Sequence, residues 1–151
     1  MDKKISIGSW AYTFGPYEKK PVALPTVIQK LGELGYNGIE LNGFKPHAHP
    51  DLYPTLEDRR GLVKMINDNG LEIAGYAPEF SPFFPASPDE EVQKGYENLF
   101  EDYLEFCNDC GISTLRVDSA YPPPLPQGVD YETAWEETVK MWRMCARKAS
   151  D

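Results

Sequence analysis

Hydrophobic residues fall into two alternating kinds of run. Four short β-type runs, Ile5 to Trp10, Gly38 to Asn42, Glu72 to Tyr76 and Thr114 to Asp118, are each followed by a longer stretch whose apolar positions recur every three or four residues, the spacing of a helix. The first helix, near Pro25 to Leu34, carries Val27, Ile28, Leu31 and Leu34 on one face. The second, near Thr55 to Asn69, opens on Thr55 and Asp58 in capping-box spacing and is expected to bury Leu56, Val63 and Ile66. For the third, Ser87, Pro88 and Glu90 fit N-cap, first-turn proline and capping acid, and the apolar face reads Val92, Tyr96, Leu99, Tyr103, Phe106 and Cys110. The fourth starts near Asp130 and places Trp135, Val139, Trp142, Ala146 and Ala149 at helical spacing.

Three of the helices run into a glycine, Gly35, Gly70 or Gly111, with a strand a few residues later. Such β/α alternation requires a parallel sheet, because parallel neighbours need a crossover helix. The fourth helix reaches Ser150 and Asp151 without its glycine, so the pattern predicts a chain cut before a fifth strand.

Loop lengths and strand faces separate a barrel from a doubly wound sheet. The strand-to-helix connections are long, about 10 to 14 residues against the usual two to six or so, and the returns are short. All 14 prolines and both histidines lie in the long connections or in the helical turn that follows, at the strand ends where either architecture places its site. Along the strands, Ile39, Leu41, Ile73, Leu115 and Val117 read as helix-facing, whereas Glu40, Asn42, Tyr76, Arg116 and Asp118 read as facing the other way. A doubly wound sheet is apolar on both faces, so one polar face favours a barrel. At 151 residues the chain falls short of the roughly 250 of an eight-unit barrel. The expected fold is therefore α/β, the parallel (βα)4 half of a TIM (β/α)8 barrel, with residues 1–151 as the N-terminal half of one domain.

Charge narrows the partners. With 15 basic and 24 acidic residues and a net charge of -9, the chain is poorly suited to phosphate backbones or anionic lipid, so no nucleic acid and no membrane is expected. The N-terminus enters a strand pattern rather than a signal peptide, and the three cysteines do not make a disulfide framework, which together favour a cytoplasmic protein.

Four segments carry a family likeness: Ile5-Ser-Ile-Gly-Ser-Trp10, Leu34-Gly-Tyr-Asn-Gly-Ile-Glu-Leu41, Gly70-Leu-Glu-Ile-Ala-Gly75 and Gly111-Ile-Ser-Thr-Leu-Arg-Val-Asp118. In this order and spacing they resemble the xylose isomerase-like barrels, which include sugar isomerases and epimerases and the endonuclease IV group. Asn42-Gly-Phe-Lys-Pro-His-Ala-His-Pro50 also resembles a subgroup that cleaves oxidised C-glycosides. The resemblance implies a sugar or sugar phosphate isomerase, epimerase or related lyase that moves a proton beside a carbonyl through an enediolate-like state, assisted by a divalent metal (Mn, Mg, Co or Zn). The family's main metal ligands lie on strands five to eight, beyond Asp151. It also implies a fragment that is inactive alone and binds no metal tightly. The expected partners are a small carbohydrate and either the missing half-barrel or a second copy of the chain. Two other readings compete with it, a non-catalytic carbohydrate-binding or assembly subunit and a DNA-repair nuclease.

The candidate substrate-binding residues are Trp10, Glu40, His47, His49, Tyr76, Arg116 and Asp118. His47 and His49 suit metal or sugar hydroxyls, or are plain loop histidines. Glu40 and Arg116 point inward from alternate strands, either to meet substrate or to pair and fill the interior. Asp118 suits sugar hydroxyls or a loop cap. Trp10, Tyr12, Phe14, Tyr76, Phe80, Phe83 and Phe84 offer flat faces for a sugar ring or pack their own loops. Cys107 and Cys110 form a C-x-x-C at a helix C-terminus, where the dipole disfavours a thiolate, so packing is favoured over redox or zinc chemistry.

Overall fold

The computed structural model describes residues 3–81, 83–118, 125 and 127–150. Its elements follow in the order β1 (Ser6–Gly8), α1 (Leu24–Glu33), β2 (Gly38–Asn42), α2 (Leu56–Asp68), β3 (Glu72–Ala77), α3 (Glu90–Cys110) and α4 (Tyr131–Lys148), with single 3-10 turns at Ser9–Tyr12, Gly15–Tyr17 and Pro50–Leu52. The three strands are parallel, in spatial order β1-β2-β3. The prolines at 122–124 and 126, and the expected break after Asp151, lie outside the described residues.

Two of the four expected strands are shorter than their sequence patterns. β1 stops at Gly8 because the next ladder donor, the N–H of Asn42, goes to the Ser9 hydroxyl at 2.8 Å instead of to backbone. Trp10 therefore sits on a 3-10 turn and not on a strand. The fourth run is a single bridge between Tyr76 and Leu115. It is held by the Tyr76 N–H on the Thr114 carbonyl and the Arg116 N–H on the Tyr76 carbonyl, both at 2.9 Å, and among the described residues it is paired along one edge only.

The helix exits match the sequence pattern closely. Gly35, Gly70 and Gly111 have φ of 80°, 75° and 66°, the left-handed region that a side chain disfavours. At each exit the glycine N–H bonds back three residues, and the following N–H bonds back five, to Leu31, Ile66 or Cys107, closing the same Schellman cap three times.

The chain divides into two compact units, Met1–Glu79 with Phe106–Arg116, and Phe80–Glu105 with Val117–Asp151. In the first, Val27, Ile28 and Leu31 of α1, Leu62 and Ile66 of α2, and Ile39 and Leu41 of β2 are buried together with Tyr76. The buried face of α2 differs from the expected one, since Leu56 is exposed and Arg59 takes an inner position. Arg59 is held there by the Asp109 carboxylate at 2.6 Å, the Tyr53 carbonyl at 3.1 Å and the Phe106 ring below its guanidinium, so its charge is buried paired. Thr55 and Asp58 close the expected capping box.

In the second unit the α3 cap is Asp89 rather than Ser87, its Oδ1 taking the N–H of Glu91 at 2.9 Å and of Val92 at 3.1 Å. Phe100 is buried where the pattern assigned Leu99. On α4 the buried stripe is Ala134, Thr138, Met141 and Cys145, set one position before the expected one, and Trp135 is exposed. Thr138 is accommodated because its hydroxyl donates to the Ala134 carbonyl at 2.7 Å, which removes the cost of burying it. Among the described residues no helix is long and apolar enough to cross a membrane.

Two glycines of one helix should respond oppositely to alanine. Gly70→Ala forces a side chain into the left-handed cap and should cost about 1–2 kcal/mol. Gly61 lies within α2 with open space where its Cβ would be, so Gly61→Ala should stabilise by about 0.5–1 kcal/mol through helix propensity. Urea unfolding of both variants checks the signs.

Candidate functional site

The register of β3 decides what reaches the polar face of the sheet. Ile39 pairs with Ile73, but Glu40 pairs with Gly75, so Ala74 is an extra residue, a β-bulge. Beyond it the alternation is inverted, and Tyr76 pairs with Leu41 on the helix-facing side. Tyr76 is fully buried, its ring 5.1 Å from that of Phe106, and its hydroxyl donates to the Ala48 carbonyl at 3.0 Å. The expectation that Tyr76 faces substrate is therefore corrected: it is a core residue, displaced by the bulge.

The same shift leaves Glu40 in a row between two glycines, Gly8 on β1 and Gly75 on β3. Two donors reach its carboxylate. The Trp10 indole lies over Gly8 and donates Nε1–H to Glu40 Oε2 at 2.8 Å, and Arg116 donates from Nη1 to the same oxygen at 3.3 Å. Both donors converge on Oε2, and among the described residues no donor reaches Oε1. The carboxylate is about one quarter exposed (26%) and Arg116 is 41% exposed.

Behind this cluster a buried polar network fixes the loop that carries Trp10. Asn42, fully buried, donates its amide to the Thr13 hydroxyl at 2.9 Å, and Thr13 donates to the Trp10 carbonyl at 3.0 Å. Asn42 Oδ1 accepts from the Phe44 N–H at 3.1 Å, and Ser9 accepts from the Asn42 N–H. Ser9, Thr13 and the paired glycines were not singled out from the sequence. The usable signal was a glycine within each of the two strand patterns that flank the acid, Gly8 and Gly75.

Both histidines have hydrogen-bond partners within the chain. His47 is fully buried, with Nε2 2.8 Å from the Val22 carbonyl. A carbonyl only accepts, so Nε2 carries the proton and Nδ1 the lone pair, and Nδ1 is buried without a partner among the described residues. Burial holds the His47 pKa below its ordinary value, partly offset by the Val22 bond. His49 Nδ1 accepts from the Asp51 N–H at 3.2 Å and caps the Pro50–Leu52 turn, while Lys45 pairs with Asp51 at 2.6 Å. Among the described residues no group of three or more His, Cys, Asp or Glu side chains is placed to hold a metal ion. The described residues thus do not fit the divalent metal that the resemblance implies.

Asp118 is exposed and belongs to the second compact unit, whereas Glu40 belongs to the first. The aromatics after β3 pack within that second unit: Phe80 stacks on Tyr96 at 4.3 Å and meets Tyr103 edge-on at 5.5 Å, and Phe83 covers Gly95. After β1, Phe14 is exposed and meets Phe44 edge-on at 5.2 Å, and Tyr12 lies 6.0 Å from Tyr17. Cys107 and Cys110 are buried free thiols, pushed up by burial to about 12 and about 11, which leaves them inert at neutral pH.

Comparison with known proteins agrees with this architecture. Residues 28–151 match the family described as xylose isomerase-like TIM barrel, and the chain belongs to that family. Among solved structures it is similar to a D-psicose 3-epimerase determined in the presence of D-fructose, with 21% identity and a TM-score of 0.73 over 99% of this chain and 49% of that one. A D-psicose 3-epimerase with D-tagatose from Clostridium cellulolyticum H10 gives 20% identity and a TM-score of 0.72 over 98% of this chain and 49% of that one. The probable 3-DHS dehydratase from Bacillus anthracis gives 19% and 0.67, over 98% and 48%. The chain thus spans about half the length of the solved structures it resembles, and at these identities the likeness concerns the fold. No curated protein matches the sequence.

The buried, neutral His47 gives a pH prediction with a definite sign. A folded-state pKa below the unfolded value of about 6.5 means the unfolded chain binds the extra proton, so this stability is complete above about pH 6.5 and is lost as pH falls towards the folded value. The urea midpoint should therefore drop between pH 7.5 and pH 5.5. In His47→Gln, whose amide can still donate to Val22, the drop should be smaller.

Proposed function

We propose that this chain forms the substrate-binding wall of a carbohydrate isomerase or epimerase of the xylose isomerase-like family, with Trp10, Glu40 and Arg116 as the residues that meet the sugar. The observation that carries this is the Glu40 carboxylate, held between two glycines by two donors on Oε2 while Oε1 is left to accept a hydroxyl. A carboxylate braced in this way binds a hydroxyl without first losing side-chain freedom, which is the main cost of using a long flexible acid. Arg116 can donate to a second oxygen of the same sugar. The Trp10 ring offers an apolar face beside them.

The chemistry proposed for the whole enzyme is proton transfer at a carbon beside a carbonyl, through an enediolate-like state. Binding and orientation are the part assigned to these three residues. The divalent metal implied by the resemblance has no ligand set among the described residues, and the base that takes the proton is not assigned to any of them. A small neutral or phosphorylated sugar is the proposed partner, in a cytoplasmic setting.

Two measurements on the 151-residue chain test this reading. Saturation-transfer NMR with D-fructose and D-tagatose should show contact that weakens at least fivefold, about 1 kcal/mol, in Glu40→Ala and in Arg116→Ala, the scale of one lost hydrogen bond to a charged group. No contact in wild type, or undiminished contact in both variants, contradicts the assignment. In D2O the chain alone should not exchange the proton beside the ketose carbonyl; rapid exchange would show that it holds its own catalytic base.

A further inference from the structure

The glycine before the Trp10 turn has a specific spatial reason. A Cβ built on Gly8 would lie 2.0 Å from the indole Nε1, 2.5 Å from Cε2 and 2.6 Å from Cδ1 of Trp10. These distances are far inside van der Waals contact, so the indole occupies the volume that any side chain at position 8 would need. No left-handed backbone requires this glycine, since its φ is -76°. What it provides is a bed for the ring.

Three further contacts show that the ring is placed and not merely resting. Its N–H is bonded to Glu40 Oε2 at 2.8 Å. Its backbone carbonyl accepts both the Thr13 N–H at 3.1 Å and the Thr13 hydroxyl at 3.0 Å, and Thr13 is tied to Asn42 at the end of β2. The residue is nevertheless 40% exposed. An aromatic fixed at its base, its edge and its backbone while open to solvent has lost its rotamer entropy during folding and loses none on binding.

We propose that Gly8 and Glu40 are positioning residues that act through Trp10, holding its indole as a fixed platform for the C–H face of a monosaccharide, and that the absence of a side chain at position 8 sets whether this platform exists. The proposal rests on the sugar-binding reading above and adds to it a second role for Glu40 and a role for Gly8. The apolar C–H groups of a sugar stack on such a ring while the hydroxyls at its edge reach Oε1 of the same carboxylate that holds the ring. One acid therefore serves both halves of an amphipathic ligand.

The test reads the ring directly. In a 1H–15N spectrum the Trp10 indole N–H, assigned by its disappearance in Trp10→Phe, should resonate downfield as a carboxylate-bonded donor and exchange slowly with solvent. Glu40→Ala and Gly8→Ala should each move it to the position of a free indole and raise its exchange rate. Glu40→Gln keeps an acceptor and should retain most of the shift, a rescue that loss of folding would not produce. Affinity for D-fructose, followed by titration in the same spectra, should fall about five- to tenfold in Gly8→Ala and less in Glu40→Gln than in Glu40→Ala. An indole resonance unchanged in Glu40→Ala overturns the positioning role of Glu40. A displaced indole in Gly8→Ala with unchanged D-fructose affinity overturns the platform and leaves the sugar-binding reading standing. If wild type shows no response to D-fructose or D-tagatose, both readings fail.

Discussion

One extra residue in β3 determines what each side of the sheet can do. Because Ala74 is not matched on β2, the alternation of β3 is inverted beyond it, and Tyr76 turns under the helices beside Leu41. Gly75 takes the place beside Glu40 that a larger side chain would otherwise fill. The bulge thus supplies a large aromatic to the core and removes one from the polar face in the same step. Bulges are common next to functional sites because they re-aim side chains in this way. Arg116, from the run that follows α3, reaches Glu40 Oε2 at 3.3 Å.

The long loops gain their order from groups that would be expensive to leave unpaired. Asn42 is fully buried, and its amide and carbonyl oxygen are satisfied by the loops after β1 and β2. Tyr76 reaches the Ala48 carbonyl, and His47 reaches Val22. Each bond ties a loop to the sheet or to another loop, and breaking one strands a polar atom away from water at a cost of about 1–3 kcal/mol. Asn42, Tyr76 and His47 thus fasten loops to the sheet and to one another. Through Thr13, Asn42 also fixes the backbone carbonyl of Trp10.

Much of the fold could be read from the sequence because its signals are local. A glycine after an apolar helical face, a Thr-x-x-Asp pair before one and short alternating runs between them each depend on a few neighbouring residues, and Gly35, Gly70, Gly111, Thr55 and Asp58 all adopt the predicted roles. The site was only partly legible because it depends on register. Alternation counted along one strand places Tyr76 with Glu40, and only pairing with β2 reveals the extra residue. The burial of His47 was hidden for a related reason: its loop is long and proline-rich, which suggests exposure, yet it lies buried with a hydrogen bond to a carbonyl 25 residues earlier. On α4, hydrophobicity favoured Trp135, whereas the buried stripe uses Thr138 with its hydroxyl satisfied within the helix.

The central claim is that the bulge in β3 sorts core from polar face, with Tyr76 on one side and Glu40 on the other. The most direct test is the unfolding free energy of Tyr76→Ala beside that of Glu40→Ala, each measured by urea denaturation at neutral pH. A fully buried aromatic cut to alanine should cost about 3–5 kcal/mol, whereas a partly exposed carboxylate at a strand end should cost about 1 kcal/mol or less. Equal, small losses in the two variants would place Tyr76 on the open face with Glu40 and contradict the register on which the site is built.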